Sequence, residues 1–75
     1  EIDLVAEKGR RRLAFEFKAS LSPELTAGSL SALSALKPER TYLVCPMTED
    51  GYPAGENVRV CGMKELLARL GETEP

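Results

Sequence analysis

Two short runs decide the fold: Ile2-Asp3-Leu4-Val5-Ala6 and Leu13-Ala14-Phe15-Glu16-Phe17-Lys18, joined through Glu7-Lys8-Gly9-Arg10-Arg11-Arg12. In the first run Ile2, Leu4 and Ala6 alternate with Glu1, Asp3 and Val5, the period of a strand with one face buried. In the second, Leu13, Phe15 and Phe17 alternate with Ala14, Glu16 and Lys18. Gly9 between them can take the positive φ that a tight hairpin turn demands. The pattern therefore predicts an antiparallel hairpin, with strands over residues 1–6 and 11–19. With Lys8-Gly9 as the two-residue turn, Glu7 faces Arg10, Asp3 faces Ala14, and Glu1 faces Glu16. Asp3 and Glu16 then become diagonal neighbours on one face, and Lys18 lies two residues farther along it. Ile2 and Leu4 meet Phe15 and Leu13 on the opposite, core face.

Working outward, Ser22-Pro23-Glu24 has the form of a helix start: a serine cap, proline at the first helical position and an acid in the first turn. Leu25, Leu30, Leu33 and Leu36 supply part of an apolar face, Gly28 and the serines weaken the early turns, and the firm helix is expected from near Ser29. Lys37-Pro38 ends it. Thr41-Tyr42-Leu43-Val44-Cys45 is almost continuously apolar, as in a strand buried on both faces. Residues 46–56 hold two prolines and two glycines and read as a loop. A strand over residues 57–61 and a helix over 63–70 follow, with Met63, Leu66, Leu67 and Leu70 on one side, Gly71 as a C-cap and residues 72–75 as a frayed tail. The expected architecture is a single α/β domain over residues 1–71, ordered β-β-α-β-β-α. Its sheet is mixed, because a strand–helix–strand passage makes a parallel pair beside the hairpin.

Seventy-five residues allow one small domain with a modest core. An apolar fraction of 43% argues against disorder, and no stretch is long enough to span a membrane. The chain opens inside a strand without an initiator Met, so it is expected to be the C-terminal fragment of a larger protein, held together as a homodimer. A net charge of −2 and a pI near 5.1 do not describe a typical nucleic-acid binder. Arg10-Arg11-Arg12 is a short basic run whose ordinary role is to keep a hairpin tip soluble, with phosphate contact as the alternative. Histidine is absent, so Cys45 and Cys61 cannot complete a structural zinc site. They read as buried thiols of a cytoplasmic protein, a disulfide being the lesser alternative.

The chemistry lies in the hairpin. Acids gathered on one sheet face repel unless something neutralises them, and a hard divalent cation is a natural partner. Asp3 and Glu16, with the backbone carbonyl of Phe17, would hold Mg²⁺, and Lys18 would stabilise charge developing on a phosphoryl group. The simpler reading is an exposed Glu16–Lys18 ion pair of small energetic weight.

Asp on one strand, a short hairpin and Glu-x-Lys on the next resembles the PD-(D/E)XK nuclease superfamily. Glu1-Ile2-Asp3-Leu4 followed by Phe15-Glu16-Phe17-Lys18-Ala19-Ser20 is similar to one branch in particular. That branch is the C-terminal domain of unknown function carried by prokaryotic AAA-type ATPases. Tyr42-Leu43-Val44-Cys45-Pro46, the Gly-containing loop, and Val58-Arg59-Val60 followed by Leu66-Leu67 extend the likeness over nearly the whole chain. The resemblance implies a restriction-endonuclease-like sheet, Asp3 and Glu16 as metal ligands, Lys18 as the catalytic lysine and Ser20 as a polar neighbour. It also implies a parent ATPase domain in cis, although this chain has no Gly-rich phosphate loop of its own. The functional expectation is a regulatory or partner-binding nuclease-like module. The alternatives are a Mg²⁺-dependent phosphodiesterase acting on DNA and a purely structural, oligomerising fragment.

Overall fold

The computed structural model describes residues 2–73, and the side chains of residues 2–71. Among them are strands β1 (Leu4–Lys8), β2 (Arg11–Phe17), β3 (Arg40–Val44), β4 (Tyr52–Gly55) and β5 (Val58–Cys61). Helix α1 (Ala27–Leu36) lies between β2 and β3, and α2 (Met63–Thr73) follows β5. The strands form one sheet in the order β1-β2-β3-β5-β4. Its centre is parallel (β2 with β3, and β3 with β5), and each edge is an antiparallel hairpin.

The α/β class and the leading hairpin are as expected, but the element order is β-β-α-β-β-β-α. The extra strand is β4, within the segment read as a loop. Tyr52-Pro53-Ala54-Gly55 is exposed throughout, and its pairing with β5 is irregular between Pro53 and Gly55. Proline donates nothing to a ladder and is tolerated at a sheet edge, so hydrophobic alternation leaves no trace there.

The hairpin register differs by two residues from the expected one. Leu4 pairs with Phe15, Ala6 with Leu13, and Lys8 with Arg11, so Gly9-Arg10 forms the turn. Gly9 takes φ 62°, the left-handed conformation expected of it. A shift of two leaves every side chain on its face, which is why alternation cannot separate the two registers. The pairing assigned to Glu1 falls outside the described residues.

β3 is buried on both faces, as the continuous apolar run predicts. Phe15, Tyr42, Val44 and Cys61 cluster on one face with Leu66 of α2, and the Phe15 and Tyr42 rings stack at 5.8 Å. Leu43, Cys45, Met47 and Val60 form the other cluster, joined by Leu25 and Val58. The edge strand β1 is thinly covered: Leu4 is 51% exposed, and Phe17 at the end of β2 is 44% exposed.

Helix α1 starts later than Ser22-Pro23 suggests. Ser22 donates its N–H to Ser20 Oγ in an irregular segment, and Thr26 is the cap, accepting from Ser29 N at 3.1 Å. Leu25 consequently precedes the helix, and Leu30 is largely exposed. At the far end Lys37 adopts φ 51° and donates its N–H to Leu33 O, ending the helix before Pro38 as expected. Helix α2 runs through Gly71 to Thr73. Gly71 is thus an interior helical residue rather than a cap, and residues 72–73 are helical backbone rather than tail. Residues 74–75 lie outside the described part.

The loop after β3 lies tightly on the end of β5. A Cβ at Gly62 would stand 2.1 Å from Met47 O, and one at Gly51 would stand 2.1 Å from Val60 O. Gly62→Ala is therefore expected to destabilise the fold by about 1–3 kcal/mol, the usual cost of overpacking. Gly71→Ala, which meets nothing within 4 Å, should stabilise by about 0.5–1 kcal/mol through helix propensity. Urea denaturation midpoints of the two variants should move in opposite directions.

Candidate functional site

Glu16 is the penultimate residue of β2, at the end of the sheet where the parallel strands finish. Its side chain points to the face opposite the Phe15 cluster and is only 2% exposed. A lone carboxylate so placed would be costly, and two partners compensate. Ser29 Oγ donates to Glu16 Oε1 at 2.6 Å, and Lys18 Nζ lies 2.7 Å from Oε2. Beyond that ammonium, Oε2 meets no hydrogen-bond donor among the described residues.

Ser29 brings the first turn of α1 into this cluster. Its hydroxyl proton is committed to Glu16, so the 3.0 Å contact between the Ser29 and Thr26 hydroxyls has Thr26 as donor. The chain Thr26–Ser29–Glu16 thus runs from the helix cap to the carboxylate. An anion beside the first turn of a helix is favourably placed. Burial alone would raise the Glu16 carboxyl. The Lys18 and Ser29 hydrogen bonds and the Lys18 charge outweigh it and hold the pKa below the ordinary value.

Asp3 is exposed and stands beside this cluster through the backbone. Its N–H donates to Phe15 O at 3.0 Å, and its Oδ2 accepts from Phe17 N at 2.8 Å. The carboxylate thereby substitutes for a strand carbonyl at the mouth of the hairpin. Phe17, expected to offer its carbonyl, is linked to Asp3 through its amide. Ser20 Oγ accepts from Ser22 N in the following turn. Asp3, Glu16, Phe17 and Lys18 thus share one end of the hairpin. The joined pair is Glu16 with Lys18, and it is buried at the glutamate rather than exposed as the simpler reading supposed. Among the described residues no three His, Cys, Asp or Glu side chains gather where a metal could be held.

The basic run is largely committed to structure. Arg11 makes a two-pronged pair with Glu39 at 3.1 and 3.2 Å. Arg12 bonds Glu7 at 2.5 Å and Leu36 O, in the last turn of α1, at 2.7 Å. Only Arg10 of the three sits in the turn. Cys45 and Cys61 are free buried thiols in opposite core clusters, and burial, reinforced by the Glu65 charge, pushes the Cys61 thiol up.

A second cluster has no counterpart in the sequence reading. Glu65 of α2 accepts from Gly51 N at 2.7 Å and, through Oε2, from Arg59 Nε and Arg69 Nε, each at 2.6 Å. The Arg69 pair has the helical i,i+4 spacing, but Arg59 and Gly51 reach Glu65 only through the β4–β5 hairpin. Comparison with protein-family models, with curated proteins and with solved structures finds no match for this chain.

Partial desolvation raises the Glu65 carboxyl, but the Arg69, Gly51 and Arg59 bonds outweigh it and bring the pKa from 4.5 to about 2. A carboxyl depressed in the folded state stabilises the fold fully above its unfolded value and loses that contribution as the pH falls through its folded value. Acid titration of stability should therefore show a limb between about 4.5 and about 2. Glu65→Gln should flatten that limb and lower stability near neutrality. Urea midpoints measured from pH 7 to pH 2 test both expectations.

Proposed function

We propose that this chain is a nuclease-like α/β module that serves a parent AAA-type ATPase in a regulatory, non-catalytic capacity. The carrying observation is the closure of the Glu16 site. The carboxylate is 2% exposed, Ser29 occupies one oxygen, and the Lys18 ammonium stands against the other. A substrate phosphate would have to displace Lys18 from its partner before meeting either group. The layout nevertheless agrees with a restriction-endonuclease-like sheet: an antiparallel hairpin bearing Asp3 and Glu-x-Lys, a crossover helix, and a parallel third strand. Fold and activity separate readily, so the layout supports the module and not the cleavage. Two free buried thiols fit a reducing cytoplasm, and no described helix is long and apolar enough to cross a membrane.

A second reading, Mg²⁺-dependent phosphodiester hydrolysis, is favoured by one atom. Glu16 Oε2 is buried and, among the described residues, meets no hydrogen-bond donor beyond the ammonium, so it could serve as a cation ligand. Asp3 Oδ2 and the Phe17 carbonyl would complete the set, after the Asp3 carboxylate gave up the Phe17 amide. The cation would activate water and neutralise phosphate charge. Lys18, released from Glu16, would face the phosphoryl oxygens.

Calorimetric titration with Mg²⁺ and Mn²⁺, together with plasmid nicking, separates the two readings. The regulatory reading predicts no saturable binding at millimolar metal and no nicking. Saturable binding lost in the Asp3→Asn/Glu16→Gln double variant, accompanied by nicking lost in Lys18→Ala, would replace it with the hydrolytic one.

A further inference from the structure

Helix α2 covers only part of its face of the sheet. Leu66 reaches down into the cluster of Phe15, Tyr42, Val44 and Cys61. Glu65 and Arg69 turn toward the β4–β5 hairpin, where Glu65 meets Arg59 and Gly51. At about 100° per residue, Met63 and Leu67 then fall on the opposite flank of the helix, toward β2 and β1. On that side the sheet is apolar as well. Leu13 and Phe17 share the face of Phe15, and so do Leu4 and Ala6, which pair with Phe15 and Leu13. Among the described residues no helix lies over this part of the face, because α1 sits across the sheet, where Ser29 meets Glu16. The result is an apolar step, with Leu4, Leu13 and Phe17 as its floor and Met63 and Leu67 as its wall. Toward the β1–β2 turn it deepens into a cavity of about 200 Å³, bordered by Ala6, Leu13 and Leu70. Leu67 is 62% exposed and Met63 49%, beside the half-exposed Leu4 and Phe17.

We propose that this step is a homodimer interface, in which a second copy related by a two-fold axis lays its Leu67 flank on the floor of the first and receives the first copy's flank in return. An isologous contact needs one patch that is both ridge and hollow, and the flank and floor of this step supply the two. Leu4, Phe17, Met63 and Leu67 leave on the order of 400 Å² of apolar surface open, the size at which a patch marks an interaction site. Doubled by the two-fold and widened by polar rims, it reaches the roughly 1,000 Å² that a stable interface buries. The ridge belongs to the first two turns of α2, and Leu67 lies at least one helical turn before residue 72. A net charge of only −2 sets little repulsion between copies. The two thin core clusters gain from the contact, because chains of this size commonly draw stability from association. The Glu16 carboxylate faces the other side of the sheet, so the interface stands whether or not that cluster holds a metal.

The test is sedimentation equilibrium of the whole chain from micromolar to several hundred micromolar, which should show a monomer–dimer equilibrium. Leu67→Ala should weaken the dimer by at least about a hundredfold, because the two-fold removes the same buried side chain twice. Leu67→Glu on the wall and Leu4→Lys on the floor should each give a monomer that keeps the native circular dichroism. Leu30→Glu, largely exposed on α1 across the sheet, should leave the association unchanged. In the native chain, ¹H–¹⁵N NMR shifts on dilution should centre on β1, the end of β2 and the first two turns of α2. The proposal is overturned if the native chain stays monomeric throughout, which would give the step to a different occupant. It is equally overturned if folded Leu67→Glu or Leu4→Lys dimerises like the native chain, if Leu30→Glu dissociates the dimer as fully, or if the dilution shifts centre on α1 or β4.

Discussion

A carboxylate on a small sheet, sealed from water, has to be neutralised where it stands, and the way Glu16 is neutralised organises the rest of the molecule. Lys18 is the residue just past the end of the same strand, and Ser29 comes from the helix that follows it. The strand's end supplies the charge partner and the helix supplies the proton donor. This ties the hairpin to the crossover that makes the sheet parallel. The serine is itself set by the Thr26 cap, so helix initiation and carboxylate burial are satisfied by the same hydroxyls. Removing one member would strand a buried polar group, which is more costly than the net worth of the bond.

The two faces of the sheet carry different electrostatic devices. One is the Glu16 cluster, with the Asp3 carboxylate on the neighbouring Phe17 amide. The other is arginine-rich and held by Glu65, which also fastens α2 to the β4–β5 hairpin through Arg59 and Gly51. Between them lies a core of two thin clusters, and the tight approach of Gly51 and Gly62 closes the loop over the end of β5. A chain of this size has little hydrophobic surplus, so these charged junctions carry a large share of its specificity.

Much of this was legible in the residues. Alternation identified the β1–β2 hairpin and the continuous run identified β3, because each reports a burial pattern directly. The hairpin register was not legible, since a two-residue shift changes no face. The start of α1 was misplaced because Ser22 and Thr26 both satisfy the local rules for a cap, and Ser22 is instead used in a turn with Ser20. β4 escaped because an exposed edge strand with proline needs no hydrophobic period. For the candidate site, the Glu16–Lys18 pair follows from strand spacing. The Ser29 bond depends on where the crossover returns the helix, and the Glu65 hub needs three elements assembled first. The i,i+4 spacing of Glu65 and Arg69 was the one local signal of that hub.

The ionised, internally paired state of Glu16 is the centre of this account, and ¹³C NMR titration of its side-chain carboxyl reads it directly. The native chain should show a Glu16 pKa below the ordinary value of 4.5, rising when Lys18 is replaced by Met. A Glu16 carboxyl that titrates at or above 4.5, or that is indifferent to Lys18→Met, would contradict the account.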